Sequence, residues 1–395
     1  MKKGHGILGI WLLCLVFFPA MAQENKDKKS SWTDRVLMNA DVRYRHEEIK
    51  DEASEDEYKY YRTRDRIRAR VGLKAEAAPS ADLILQMATS EGSEKGGDPI
   101  STNQSTTASF SKKPFWLDLA YIDLHPKQVA GLHVMGGKMK NVFFTAGKNQ
   151  LIWDQDLTPE GGALTYVYRS EDFEPFLNLA DFWIEERKED EDSFLWGAQV
   201  GTKLKFNGGA SYLTLGGSYY DYPDTNNWPA YGVDSAKFYG NSSSEDGNYL
   251  FDFTVVEGFV EFGTKVGKYP LCVYGSYLTN IGYEKDDDLD DSADNVGWLA
   301  GVSLGEAKNS MSWAVRYNYR KLQKDAVLAA FSDSDFIGGG TNGRGHTIGV
   351  DFAVFDNVVL SFTAFLNEKG ISGEDADDHK HLEYQRLQFD ISAKL

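Results

Sequence analysis

Arginine occupies every second position between residues 62 and 70. The five positions are Arg62, Arg64, Arg66, Arg68 and Arg70. Because successive side chains of a β-strand point to opposite faces, a strand would collect all five guanidinium groups on one face. At roughly 3.3 Å per residue the row is about 26 Å long, close to the roughly 25 Å apolar band of an outer-membrane barrel strand. Arginine facing lipid at the midplane costs about 2–4 kcal/mol, so a spanning strand must turn this row toward water; the alternative is the wet face of a soluble sheet.

The N-terminus has the parts of a secretory signal peptide. Lys2 and Lys3 precede an apolar run over residues 7–18, and Pro19-Ala20-Met21-Ala22 supplies an A-x-A cleavage signal. We therefore expect residues 1–22 to be removed, residues 23–32 to form a short periplasmic segment and residues 33–395 to form the folded domain. The mature chain would keep one cysteine, Cys272, so no internal disulfide is expected.

Composition excludes several classes of protein. No later segment approaches the roughly 18 consecutive apolar residues that a membrane helix needs, which argues against an inner-membrane protein. Aromatic residues make up 13% of the chain and glycine occurs 38 times, which with alternating segments favours all-β structure. A net charge of −18 argues against nucleic acid as a partner.

The alternating segments predict about sixteen strands, joined by connections that are short and long in turn. The short connections are at 78–80, 125–130, 207–208, 268–270, 306–309 and 356–357. The long connections are at 47–58, 91–113, 140–160, 186–192, 223–248, 284–294, 326–343 and 370–381. Bacterial outer-membrane barrels have an even strand number, short periplasmic turns and long external loops. The pattern therefore predicts a transmembrane antiparallel up-and-down β-barrel with its N-terminus in the periplasm, closed by an apolar-faced last strand at 382–395.

Several segments resemble the putative porin family of Gram-negative outer-membrane barrels. The matching stretches are the arginine strand continued through Val71-Gly72-Leu73, the segments 98–104 and 110–113, the loop Leu151-Ile152-Trp153-Asp154-Gln155-Asp156-Leu157-Thr158-Pro159-Glu160-Gly161-Gly162, and the segment from 325 through Asp335-Phe336-Ile337-Gly338-Gly339-Gly340-Thr341 to His346. The resemblance implies an oligomeric passive channel of about sixteen strands without a cofactor. It assigns no catalytic residue, and the terminal Leu395 departs from the aromatic residue that commonly ends such barrels.

The arginine strand and its neighbour form one candidate site, which we call the basic wall. It comprises Arg43, Arg45, Arg62, Arg64, Arg66, Arg68, Arg70 and Lys74. Adjacent arginines about 6.7 Å apart repel by roughly 0.6 kcal/mol in water and more at lower dielectric, so they need water, carboxylates or passing anions. One hypothesis is that the wall lines the pore and sets its field; the other is that carboxylates match it and it stiffens the barrel.

The loop at 140–160 is a second candidate site, a constriction. It carries Trp153, Asp154, Asp156 and Glu160. Folded into the lumen, it would set acids opposite the basic wall and narrow the pore; the alternative is an external loop that contacts nothing. In the first case, changing Asp154 and Asp156 to Asn should shift ion selectivity toward anions.

The other long loops are strongly acidic, above all residues 286–294. Clustered carboxylates there are able to bind calcium or the divalent ions that bridge lipopolysaccharide, but the EF-hand spacing is missing, and a solvated like-charged loop is the simpler interpretation. His379 and His381 form a loose pair that we assign to a wet loop or a strand edge, and no metal ligands are predicted.

The leading functional hypothesis is a diffusion porin for small hydrophilic solutes and ions, embedded among outer-membrane lipid and lipopolysaccharide and compatible with a homotrimer. A variant of it is an anion- or substrate-selective channel. Hypotheses from other classes are a surface adhesin and an outer-membrane hydrolase on a barrel, although no nucleophile elbow, P-loop or dinucleotide fingerprint is present.

Overall fold

The computed structural model describes residues 32–52, 59–93, 96–223, 225–231, 237–283, 294–372 and 382–395. The expected signal peptide, most of the segment 23–32, most of the acidic loop 286–294 and the His379/His381 pair lie outside the described residues. Trp32–Arg35 forms a short 3-10 helix, and Leu37–Leu395 forms a separate compact unit.

The described residues form sixteen long strands. In chain order these are β1 Val36–Glu52, β2 Lys59–Ala78, β3 Ala81–Thr89, β4 Phe115–Leu124, β5 Leu132–Lys138, β6 Glu160–Val167, β7 Phe173–Glu185, β8 Ser193–Phe206, β9 Ser211–Tyr222, β10 Phe253–Val266, β11 Tyr269–Asn280, β12 Val296–Gly305, β13 Trp313–Leu322, β14 Gly343–Phe355, β15 Val358–Lys369 and β16 Leu382–Lys394. Three two-residue strands, Gly92–Ser93, Gly96–Gly97 and Gln104–Ser105, lie in the connection between β3 and β4.

The sheet closes on itself. Each strand pairs antiparallel with the next, and β16 pairs with β1 from Asp41↔Lys394 to Asp51↔Tyr384. Closure leaves no sheet edge in lipid, where unpaired backbone groups would be costly. The predicted antiparallel barrel, its strand number and its closure by the last strand are confirmed.

The two faces of the strands differ as the alternation predicts. In β8, Leu195 and Gln199 are buried, whereas Val200 on the opposite face is 59% exposed. Other exposed apolar residues of the outward face are Val42, Val71, Leu85, Ile122, Leu215, Val256, Val260, Val273, Val315, Ile348, Val350, Leu360 and Ile391. A band of this kind matches the lipid-facing surface of an outer-membrane barrel. Among the described residues, no helix has the length and apolar character to span a bilayer.

Tight turns join the strands at one end of the barrel. The turn between β8 and β9 shows why, since Asn207 and Gly208 both have positive φ, at 53° and 65°. Such turns match the twist of a hairpin, and Asn-Gly adopts them at little cost. The long connections lie at the other end, and among the described residues those at 90–114, 139–159 and 323–342 and the one between β9 and β10 each carry several buried side chains.

Candidate channel constriction

The connection between β5 and β6, residues 139–159, packs inside the barrel; we call it the first inner loop. Its Phe143 meets Tyr220 of β9 edge-on, with ring centroids 4.9 Å apart. Trp153 also packs edge-on against Tyr220 at 5.2 Å, and Phe144 lies 5.3 Å from Phe259 of β10. Because Tyr220 and Phe259 belong to the buried face of a closed sheet, the loop occupies the lumen.

Hydrogen bonds fix the backbone of this loop to the same side of the barrel. The Phe144 N–H donates to Gln199 Oε1 at 2.7 Å, and Gln199 Nε2 donates back to the Phe144 carbonyl at 2.9 Å. The Gly147 N–H donates to Glu261 Oε2 at 2.5 Å. Gly147 has a φ of 61°, and a Cβ there would overlap the Tyr274 ring, so only glycine allows this close approach.

A second inner loop, residues 323–342, joins the first. The Asp154 N–H donates to the Phe331 carbonyl at 2.9 Å, and the Ser334 N–H donates to Asp154 Oδ2 at 2.9 Å. Arg320 of β13 anchors both loops, since it pairs with Asp333 at 2.6 Å and donates to the Gln150 carbonyl at 3.1 Å. The two loops, Tyr231 and Tyr249 of the connection between β9 and β10, and the strands from β6 to β13 thus share one apolar core inside the barrel.

Asp154 is buried at the joint between the two inner loops. Burial, followed by the nearby charges of Asp333 and Asp156, raises the pKa of Asp154 well above that of an ordinary aspartate. A carboxyl whose pKa is raised by folding stabilises the fold while protonated, and this contribution is lost as the pH rises through the raised pKa.

The raised pKa of Asp154 predicts that the stability contributed by the contact between the two inner loops depends on pH. As the pH rises above the ordinary pKa of aspartate, the unfolding temperature of the wild type should fall more steeply than that of Asp154→Asn, whose side chain cannot ionise. Circular dichroism melts in detergent at increasing pH measure the difference. Parallel pH profiles for the two proteins would contradict the assignment.

The basic wall lies on the other side of the lumen. Arg45 illustrates its surroundings, because its Nε lies 2.7 Å from Asp390 of β16 and its Nη1 lies 3.1 Å from Asp335 of the second inner loop. Further close pairs are Arg64 with Glu47 at 2.5 Å, Arg68 with Asp41 at 2.9 Å, Arg70 with Asp41 at 3.3 Å, Arg386 with Glu47 at 2.7 Å and Arg386 with Asp335 at 2.8 Å. Much of the wall is therefore an ion-pair network.

Asp156 links the first inner loop directly to the wall. Its Oδ1 lies 3.3 Å from Arg70 Nη1, and its Oδ2 accepts hydrogen bonds from the N–H and hydroxyl of Thr102 at 3.0 and 2.8 Å. Burial raises the pKa of Asp156, but the charges of Arg70 and Arg68 outweigh it and hold the pKa below its ordinary value. This carboxylate stays ionised into the acid range.

The remaining predicted residues lie at the margins. Arg62 is exposed near the start of β2, and Lys74 pairs with Asp82 at 2.9 Å. Glu160 is the first residue of β6 and pairs with Lys138 at 2.9 Å, so it lies outside the inner loop. Trp153 is buried in the apolar core. The acids of the loop were expected opposite the wall, whereas Asp156 is in direct contact with it.

A polar cavity of about 240 Å³ remains between the first inner loop and β2 to β4. Arg70, Gln86, Asp118, Lys140 and Asp156 are among the residues that line it. Gln86 donates to Asp118 at 2.6 Å. The cavity combines both signs of charge with neutral hydrogen-bonding groups.

Comparison with known proteins identifies the family. A model of the family described as "Putative porin" matches residues 19–245 and 251–395. The chain belongs to this porin family. The porin is accordingly an integral β-barrel of the bacterial outer membrane. A search of curated proteins finds no sequence match to it.

Solved structures of outer-membrane channels share the fold of this porin. OprB of Pseudomonas putida in a high-pH structure is 11% identical, with a TM-score of 0.56 over 92% of this chain and 95% of that one. OmpF of Salmonella typhi, in complex with daunomycin, is 11% identical, with a TM-score of 0.53 over 91% and 97%. The channel DcaP of Acinetobacter baumannii is 10% identical, with a TM-score of 0.51 over 91% and 97%.

Residues outside the predicted site complete the network. Asp335 and Arg386 are central to it, and Thr102 contacts Asp156. The sequence carried one usable signal, because Arg386, Gln388 and Asp390 alternate along the last strand and share the wet face with Arg45. The positions of the two loops carried no such signal.

Proposed function

We propose that this porin is a passive diffusion channel for small hydrophilic solutes and ions, without catalytic activity. The observation that supports it most is the lumen itself, where two inner loops narrow the barrel and leave a cavity whose lining sets charged and amide side chains beside Phe143 and Trp153. Such a lining replaces the hydration of polar solutes and disfavours apolar ones, while the narrow cross-section selects by size.

The basic wall supports weak charge selection. Among the described residues, seven guanidinium groups, those of Arg386 and of the wall arginines other than Arg62, share six carboxylates. The six are Asp41, Glu47, Glu91, Asp156, Asp335 and Asp390. A pore wall of nearly balanced charge favours neutral polar solutes and admits ions of both signs, with a small preference for anions.

Reconstitution tests the proposal. Purified protein in planar bilayers should give stepwise conductance, and liposomes that contain it should swell in small sugars faster than in larger ones. Heat-unfolded protein is the control. Folded protein that inserts but gives neither conductance nor swelling would overturn the proposal, and lipase or protease activity of the same preparation would favour the hydrolase hypothesis.

One outward-facing residue favours self-association, including the homotrimer with which the sequence is compatible. Asp181 of β7 shares the outward face with Leu179 and Trp183, and its Oδ1 is buried without a hydrogen-bond partner among the described residues. The strand beside it presents Gly162, which leaves a flat surface. A partner subunit that supplies a hydrogen-bond donor would remove the free-energy cost of this unpaired carboxylate oxygen. Asp181→Leu should therefore alter the oligomer mass in native mass spectrometry.

A further inference from the structure

We infer that Arg43 and Arg66 form a binding site for an anionic group, the carboxylate or phosphate of a permeating solute. The inference rests on the proposed channel function and deepens it, since it names the class of solute that the wall holds. We call this pair, together with Asn103 and Ser101 of the connection at 90–114, the oxyanion site.

Arg43 and Arg66 differ in their pairing from the arginines beside them on the wall. Within the described ranges, the nearest carboxylate oxygens lie 3.8 Å from each, on Asp390 and Glu91. Arg45, Arg64, Arg68, Arg70, Arg320 and Arg386 each have a carboxylate within 3.3 Å. The Nε atoms of Arg43 and Arg66 are buried without a hydrogen-bond partner in this part of the structure, as are those of Arg320 and Arg386, so the distance to a carboxylate is what sets the pair apart. Buried cations usually have close, charged acceptors, so these two lack what Arg45, Arg64, Arg68 and Arg70 have.

Neutral groups occupy the positions where an anion would bind. Arg43 Nη2 donates to Asn103 Oδ1 at 2.5 Å, and Arg66 Nη2 donates to the Asn103 carbonyl at 3.4 Å and to Ser101 Oγ at 3.3 Å. Both guanidinium groups therefore meet at Asn103. An amide oxygen is a weaker acceptor for arginine than an ionised oxygen. Asn103 thus holds the place that an oxyanion would fill more favourably.

The site is partly exposed at Arg43 and has further cations beside it. The Arg43 side chain is 14% exposed, whereas that of Arg66 is 7% exposed. Arg45 and Arg68 follow at the next lumen-facing positions of the same strands, about 6.7 Å along each. A solute oxyanion would approach along Arg43 and displace the Asn103 side chain.

Equilibrium binding of radioactive inorganic phosphate to the protein in detergent tests the site without requiring conduction. Wild type should bind phosphate saturably, and Arg43→Ser and Arg66→Ser should each weaken binding by about tenfold or more. Neither change leaves a carboxylate without a close partner, because Asp390 still pairs with Arg45 and Glu91 still accepts a hydrogen bond from Ser105. Arg316→Ser with Lys205→Ser is the matched control, since it removes two lumen-facing cations that are paired with Asp351 and Glu174.

Asn103→Asp is the sharpest variant, because it fills the site with a resident carboxylate at constant size and removes no arginine. Phosphate binding should be lost, and the unfolding temperature should rise. In bilayers, phosphate should reduce the chloride current of the wild type and of the control but not that of Asn103→Asp. Phosphate binding that survives in Asn103→Asp and in the two arginine variants, or is absent in the wild type, would overturn the site. Phosphate binding without any conductance would support the oxyanion site but contradict the proposed channel function.

Discussion

Removal of the first inner loop from the lumen should raise single-channel conductance severalfold. The change is to replace residues 141–157 with a short Gly-Ser linker, which empties the space now held by Phe143, Phe144 and Trp153 against β9 and β10. Conductance rises because the narrowest cross-section of the pore widens. Planar-bilayer recordings of the purified variant measure it.

The barrel itself should survive this deletion. The sixteen strands keep their backbone pairing, so the folded variant should retain its strand content in circular dichroism, while it unfolds at lower temperature because the apolar core is lost. The matched control replaces residues 188–191 with Gly-Ser-Gly-Ser, since this external loop is exposed. Equal conductance of wild type and deletion variant would contradict the lumen placement.

Asp335→Asn should detach the second inner loop from the basic wall. Asp335 contacts Arg45, Arg386 and Gln388, so its neutralisation removes a close negative charge from two buried guanidinium groups. Breaking a buried ion pair costs about 3–5 kcal/mol, and the lower end applies because a fifth of the Asp335 side chain is exposed. Denaturant unfolding in detergent should show this loss, and reversal potentials should shift toward anion preference.

The same residue predicts an acid dependence. Burial raises the pKa of Asp335, but Arg386 and Arg45 outweigh it and hold the pKa below its ordinary value. The stabilisation is therefore present above the ordinary pKa of aspartate and lost as the pH falls through the lowered one. Asp335→Asn should lose less stability in acid than the wild type. Glu306→Gln, an exposed carboxylate in a tight turn, is the control, and an equal effect of both changes would refute the network.

The strands were predictable because their signal is local. A period of two, as in Arg62 to Arg70, is readable in a single segment, and it fixes which face is wet. The alternation of short and long connections then fixed the barrel. Arg386 and Asp390 could have been assigned to the wall by the same argument, since they alternate along the last strand.

The loops were not predictable in this way. Trp153 packs on Tyr220, and Asp154 meets Ser334, across long separations in sequence that no local pattern encodes. Asp154 and Asp156 stand two residues apart, yet one lies at the joint between the loops and the other contacts Arg70. Only the packing of the loop distinguishes the two residues. The shift in ion selectivity predicted for changing both to Asn therefore rests mainly on Asp156.

Cysteine accessibility in an open channel tests most directly whether the wet face of these strands lines a solute pathway. In a Cys272→Ser background, Gln86→Cys places a thiol in the polar cavity, and Val71→Cys places one on the outward face. A charged, water-soluble methanethiosulfonate reagent should reduce the current through Gln86→Cys and leave that through Val71→Cys unchanged. A block of the Val71→Cys channel, or no effect on the Gln86→Cys channel, would contradict the account.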